Sequence, residues 1–331
     1  MKRAALLMAL ALGACSGMQT PLAPAADQAE QIRSIWDVML WVTSFFYLLV
    51  IGFLAWAVWR RRRKETAPPR TQVHDQGLER TLAIWAGMIV AGLTLLISWS
   101  FLVDRSLAST QDDQALHITV TGAQWWWRVE YTDGTPDKQF ETANEIHLPV
   151  GETARIKLMT SDVIHSFWVP NLSGKMDMIP GRENVIDITP RKIGVYRGQC
   201  AEFCGFQHAH MALTVVVESR EDFNRWRNHQ LTPAAPPASP KHALGKAVFK
   251  AKACSLCHEI TGADAGGRTA PNLTHLASRR TIAAGTLPMN RGSLAGWISD
   301  PQAIKPGAKM PNVPMSAAES DALVTYLESL K

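Results

Sequence analysis

The chain has 331 residues, 47% of them hydrophobic, and a net charge of +5, a length that suggests roughly two or three domains. The charge is uneven, with 10 basic and 6 acidic residues in 1–103, 13 and 17 in 104–230, and 11 and 6 in 241–331. No basic run in the soluble part is interleaved with aromatics, which argues against a nucleic-acid binder, and each of the five cysteines falls in a motif read below.

Residues 1–15 read as a bacterial export signal: Lys2 and Arg3 form the positive end and Ala4 to Leu12 a short apolar core. The core ends in Leu12-Gly13-Ala14-Cys15, which resembles a lipobox with Cys15 as the lipidated residue; an ordinary signal peptide is the other reading. Residues 16–35 are expected as a tether. From Trp36 to Trp59 no charge follows Asp37, and Trp36, Trp41, Trp56 and Trp59 lie near the ends, where aromatic belts form. Arg60 to Lys64 follow at once as a cytoplasmic anchor, and Thr81 to Val103 is a second uncharged span. Residues 36–103 are thus expected as a hairpin with both ends outside the cytoplasm.

Between 115 and 218 the pattern turns to short strands. His117-Ile118-Thr119-Val120-Thr121 and Ala154-Arg155-Ile156-Lys157-Leu158 alternate polar and apolar. Turn signals such as Asp133-Gly134 and Pro180-Gly181 separate the runs, which argues a Greek-key sandwich or small barrel. Trp125, Trp126 and Trp127 cannot all face one core from a strand.

Cys200 to Met211 packs two thiols, two imidazoles and a thioether into twelve residues. Soft sulfur with imidazole nitrogen suits copper. Zinc held by Cys200, Cys204, His208 and His210, or a Cys200–Cys204 disulfide, stays open on composition. Residues 231–241, Leu-Thr-Pro-Ala-Ala-Pro-Pro-Ala-Ser-Pro-Lys, read as a semi-rigid spacer reaching ~30 Å. Cys254-Ser-Leu-Cys257-His258 is the attachment motif of a c-type haem, with both thiols forming thioethers and His258 the proximal iron ligand.

These residues resemble cytochrome c oxidase subunit II with a fused C-terminal cytochrome c domain, the caa-type haem-copper oxidase. The resemblance rests on the Cys200–Met211 loop, on Ser161-Asp162-Val163-Ile164-His165-Ser166-Phe167 upstream of it, and on the haem motif. It implies a multi-domain fold: a transmembrane two-helix hairpin, an all-β cupredoxin-like Greek-key barrel over 104–230, and an all-α class I cytochrome c domain over 242–331. It implies a binuclear copper A centre bridged by Cys200 and Cys204, capped by His165 and His208, with Met211 a weak ligand and Glu202 lending its carbonyl. The Glu202 carboxylate is implied to help bind magnesium or manganese at the interface with subunit I. Trp125 takes the place of an exposed tryptophan through which electrons arrive. The loop from Lys175 to Arg182 resembles one that rests on subunit I. Pro306-Gly-Ala-Lys-Met310-Pro311 matches the distal-ligand pattern, so Met310 is the expected haem ligand ahead of Met315 and Met289.

The implied task is passing electrons from haem c, or an external cytochrome c, through copper A to haem a in subunit I. There oxygen is reduced to water with proton translocation. Implied partners are subunit I with haem a and copper B, subunit III, cytochrome c or a membrane electron donor, and lipid. The implied location is the bacterial inner membrane, multi-pass, with the copper and haem domains on the periplasmic side. The family's glutamate three residues before a tryptophan is replaced by Leu82 before Trp85, with Glu79 the nearest carboxylate. Charges of −4 and +5 lead to the expectation that the copper and cytochrome segments dock through complementary charge. A nitrous oxide reductase, a quinol oxidase subunit and a free-standing membrane electron carrier are the other readings.

Overall fold

The computed structural model describes residues 17–62, 76–108 and 114–331. The export signal with Cys15, and Arg63 and Lys64 of the basic anchor, lie outside the described residues. The rest falls into two units, a helical one within 31–111 and a larger one holding the N-terminal residues to Glu30 and those from 112 onward.

The helical unit is made by α1 (Asp27–Arg62) and α2 (Gln76–Ala108). Both are long and apolar enough to cross a membrane, and their apolar windows are not buried by the protein. The expected spans lie inside them. The tether expectation fails from Asp27 onward, because that residue already opens α1. It fails before that as well, since Ala25 N donates to Asn171 O at 2.7 Å and Asn171 Nδ2 to Ala23 O at 3.0 Å. Paired backbone fixes this segment along the β domain instead of leaving it loose.

The β domain is a sandwich of two five-stranded sheets. The first holds β1 (Leu116–Ala123), β2 (Trp126–Tyr131), β3 (Phe140–Ala143), β5 (Ala154–Thr160) and β8 (Asn184–Ile188), in the order β3-β2-β1-β5-β8. The second holds β4 (Glu145–Pro149), β6 (His165–Trp168), β7 (Met176–Met178), β9 (Gly194–Cys200) and β10 (Ala212–Glu218), in the order β4-β10-β9-β6-β7. The alternation seen in sequence sets the inner face: Ile118, Val120, Ile156, Leu158, Val129 and Tyr131 are buried and their neighbours are not. The chain passes from one sheet to the other at Asn144, which adopts φ 62°. Its side-chain oxygen accepts the Trp127 amide at 2.9 Å, its own amide donates to Trp127 O at 2.9 Å and its carbonyl accepts from Thr214 N at 3.0 Å, so the corner is tied to both sheets.

At the far side of this sandwich, His147 Nδ1 lies 2.8 Å from Glu218 and Nε2 3.1 Å from Glu145. The Trp226 ring, from α3 (Arg220–Gln230), stacks on the imidazole at 4.0 Å. Carboxylates only accept, so both ring nitrogens carry protons. Burial opposes the imidazolium, but the hydrogen bonds to Glu145 and Glu218 outweigh it and raise its pKa above 6.5. Burial likewise opposes the Glu145 anion, yet His147 and the Arg280 amide hold its pKa below 4.5. The raised imidazolium contributes fully below about pH 6.5 and is lost as pH climbs through its folded value. The depressed carboxylate contributes above about pH 4.5 and is lost as pH falls through its own folded value. His147→Gln is therefore expected to cost roughly 3–5 kcal/mol, with the largest deficit in thermal unfolding between about pH 5 and 6 and a smaller one in alkali.

The C-terminal domain is built on α4 (Pro240–Ala251) and α7 (Ala317–Glu328), joined by α5 (Arg291–Ser299) and the short α6 (Pro301–Ile304). Ser239 caps α4 with Pro240 as its first residue, and Ser316 with Glu319 forms a capping box on α7. The proline-rich stretch ends at that cap and is not a free spacer, because Ala234 N donates to Thr261 O at 2.9 Å. Gly245 lets α4 and α7 meet. A Cβ there would stand 2.2 Å from Ala322 O and 2.5 Å from Tyr326 Cβ. Backbone cannot yield as a side chain can, so Gly245→Ala is expected to cost at least the ~1–3 kcal/mol of ordinary overpacking. The yield of haem-loaded protein would report it.

Candidate metal and haem sites

The sandwich delivers two loops to one end. His165 opens β6, fully buried, and Cys200 closes the neighbouring β9, where it faces Phe167 of β6. The loop 201–211 then leaves and returns, with Cys200 N donating to Met211 O at 2.9 Å and Ala201 N to Ser166 O at 3.0 Å. Two elements far apart in sequence are thus tied at their ends by backbone pairing.

Inside this frame the two thiols stand 3.8 Å apart, far beyond an S–S bond of about 2.05 Å, and both cysteines are free. Each has its own imidazole: His165 Nδ1 is 3.8 Å from the Cys200 sulfur and His208 Nδ1 is 3.7 Å from that of Cys204. Met211 Sδ lies 3.9 Å from the Cys204 sulfur, and Glu202 O lies 3.2 Å from that of Cys200. All six residues expected around copper are therefore gathered. His165, Cys200 and Cys204 are grouped closely enough to hold a metal ion. His210 turns away, with Nδ1 2.9 Å from Gln207 Oε1, so the four-residue zinc set is not assembled.

The thiols are unequal. The hydrogen bond from Cys204 lowers the Cys200 pKa, with a further contribution from His165. The resulting thiolate and burial push the second thiol up. Protein alone thus keeps one proton on the pair, and both sulfurs become thiolates only where cationic charge sits between them.

Sequence reasoning named the six clustered residues but gave no role to Asp162. Its Oδ1 lies 2.9 Å from His165 Nε2, while the Gln124 and Val163 amides donate to it at 2.8 Å each. An imidazole that donates through Nε2 presents its Nδ1 lone pair toward Cys200. The signal was present in Ser161-Asp162-Val163-Ile164-His165, three residues ahead of the imidazole. Gly122 is the other omission: a Cβ there would press to 2.9 Å from the His165 ring.

Trp125 departs from expectation. It is 7% exposed, not open to solvent. Its indole donates to Cys204 O at 3.0 Å, alongside Gln124 Nε2 at 2.9 Å. Gly307 of the C-terminal domain lies over the ring, its would-be Cβ 3.5 Å away. Trp127 is fully buried in the same core, and Trp126 is half-buried with Arg128 5.5 Å over its ring. Glu202 is half-buried, and an open groove beside Lys175 is lined by Trp168, Gln199, Cys200 and Ala201.

In the C-terminal domain, Cys254 starts a single turn and the His258 amide donates back to Cys254 O at 3.0 Å. His258 Nδ1 donates to Pro271 O at 2.8 Å, which fixes the ring and leaves the Nε2 lone pair free for a metal. Burial also keeps this imidazole neutral by lowering its pKa. Of the three methionines considered, Met289 and Met315 pack against the domain core. Met310 is half-buried outside that cluster, on a loop held by Gln302 Nε2, which donates to Ala308 O and Met310 O at 2.8 Å each.

Comparison with known proteins agrees with this arrangement. Residues 134–219 match the family described as cytochrome C oxidase subunit II, periplasmic domain, and residues 242–331 match cytochrome c. The cytochrome c oxidase subunit 2 of Alkalihalophilus pseudofirmus is 33% identical over 98% of this chain and 95% of its own length. That of Bacillus subtilis is 31% identical over 99% and 98%. Among solved structures, the periplasmic domain of subunit II of cytochrome oxidase from Bradyrhizobium japonicum is 32% identical, covers 37% of this chain and 95% of that chain, and has a TM-score of 0.34. The families imply copper and haem as cofactors and a place in a haem-copper oxidase complex with other subunits. By its sequence over nearly its whole length, the chain belongs to the cytochrome c oxidase subunit 2 family, with a cytochrome c domain at its C-terminus.

Proposed function

We propose that this chain passes electrons from a covalently held haem c to a binuclear copper A centre, and from there to haem a of a subunit I that reduces oxygen to water coupled to proton translocation. Cys200 and Cys204 would bridge two coppers, His165 and His208 would cap one each, and Met211 and the Glu202 carbonyl would complete the set. Cys254 and Cys257 would bind the haem through thioethers, with His258 and Met310 as axial ligands. The bound metals supply reversible one-electron exchange. The chain's own residues fix the geometry. Asp162 orients His165, the Cys200–Met211 backbone bond closes the loop, and strands on both sides keep it rigid, which limits reorganisation.

The observation that carries this reading is the pair of free thiols 3.8 Å apart, each with its own imidazole nitrogen within 3.8 Å. A single closed zinc site has no need of that symmetry. The Glu202 carboxylate remains available for a hard magnesium or manganese ion facing subunit I. The groove beside Lys175 suits the same partner. The copper and haem domains would lie on the periplasmic side of a two-span hairpin, with Cys15 as a lipid anchor. The test is metal analysis with optical and electron paramagnetic resonance spectra of the purified oxidase. One haem c and two coppers in this chain, with a mixed-valence seven-line copper signal, are expected. Zinc in the loop, or a Cys200–Cys204 disulfide without copper, would defeat the reading.

A further inference from the structure

We infer that Lys305 seats the cytochrome domain on Trp125, so that this tryptophan receives electrons only from the chain's own haem and is closed to a soluble cytochrome. The inference rests on the electron-transfer reading above. Lys305 is 3% exposed, and its Nζ donates to Trp125 O at 2.7 Å and to Ala283 O at 3.1 Å. Among the described residues it has no carboxylate partner, so it is not an ion pair that packing happened to cover. Burial pushes its ammonium down to about 7, yet a neutral amine keeps two N–H groups and can make both bonds.

The neighbouring contacts grip the copper loop itself. Gln207 Nε2, next to His208, donates to Pro306 O at 2.8 Å. Ala212 N, next to Met211, donates to Ala284 O at 2.9 Å. Gly307 covers the Trp125 ring, and that ring is hydrogen-bonded to Cys204 O. On the other side, the Lys305–Gly307 turn runs directly into the loop that carries Met310. A short route of packed groups therefore joins the Met310 loop to Cys204 through Trp125. One electron would cross it, from reduced haem iron to the oxidised copper site, with no bond made or broken and no proton moved.

Complementary charge has a smaller part than the sequence suggested. The Lys309–Asp162 pair is 3.4 Å long with its lysine 70% exposed, and Arg268, 65% exposed, reaches the buried Glu141 at 3.5 Å. Such pairs are screened by salt. The buried contacts to backbone carbonyls are not.

The experiment is flash reduction of haem c in the purified oxidase, with the appearance of reduced copper A followed optically, in wild type and Lys305→Met. Amide hydrogen exchange is read over residues 122–128 and 205–212. Loss of two hydrogen bonds shifts the docking equilibrium by roughly tenfold, and the transfer rate follows the docked fraction. The expected result is a transfer slower by up to about tenfold, faster exchange in both peptides, unchanged haem and copper spectra, and a gain in direct copper reduction by added soluble cytochrome c. Wild-type transfer should change less than about twofold up to ~1 M salt, where the Debye length is about 3 Å. Unchanged rate and exchange in Lys305→Met with intact spectra would overturn the inference alone. Absence of a copper A spectrum in wild type would instead defeat the function proposed above. If Lys305→Met fails to assemble, Gln207→Leu removes the adjoining Pro306 contact and is judged by the same two results.

Discussion

Replacing Cys200 by serine is expected to abolish the seven-line copper signal and to lower electron transfer to subunit I by more than about 100-fold. The argument begins with position. The Cys200 sulfur has three other donors within 3.8 Å: Cys204 at 3.8 Å, His165 at 3.8 Å and the Glu202 carbonyl at 3.2 Å. A ligand shared by two metal positions removes two bonds when it is lost. Replacing a residue that merely orients a ligand already costs roughly 10–100-fold in metal affinity, so a bridging atom must exceed that. Serine keeps the volume but offers a hard, protonated oxygen in place of a soft thiolate. The haem spectrum should be unchanged, because Cys254, Cys257 and His258 belong to a separately cored domain. Paramagnetic resonance on the variant oxidase decides it. A surviving seven-line spectrum would remove Cys200 from the bridge.

The residues proposed as ligands stood out because their chemistry is concentrated in sequence. Cys200, Glu202, Cys204, His208 and Met211 lie on one loop, so their spacing alone brings them together. The strand alternation from His117 to Thr121 was legible for a similar reason, since the pleat has a period of two and the buried face follows from it. What could not be read were contacts between segments far apart in the chain. Nothing near Trp125 announces that Lys305, 180 residues later, will cover it. The tryptophan was therefore expected at the surface. Asp162 sat in plain view beside His165, but an aspartate in a turn is common, and only the fold shows its carboxylate meeting the imidazole. The N-terminal segment misled in the opposite way. Its proline and alanine content is that of a loose tether, yet Asn171 and Thr189 of the β domain pair with its backbone. Composition reports what a segment could do alone, and here a partner surface decides.

The second large effect belongs to the core beneath the copper loop. Trp127→Ala is expected to destabilise the β domain by roughly 3–5 kcal/mol, against a total of about 5–15 kcal/mol for a typical domain. Trp127 is fully buried, and its ring meets Phe167 edge-on at 6.0 Å and His165 at 6.2 Å. Its removal leaves a cavity on the face against which the expected copper ligand rests, so the copper signal should broaden as stability falls. The indole nitrogen adds little, because among the described residues it is buried without a hydrogen-bond partner. Trp127→Phe keeps one aromatic ring and deletes that unmet N–H, so it should cost less than Trp127→Ala. Chemical denaturation of the two variants separates the contributions. A loss in Trp127→Phe as large as in Trp127→Ala would place the stabilisation in the part of the indole that phenylalanine lacks. A large loss in Trp127→Ala alone, with a broadened copper spectrum, ties the geometry of His165 to the packing of the side chain behind it.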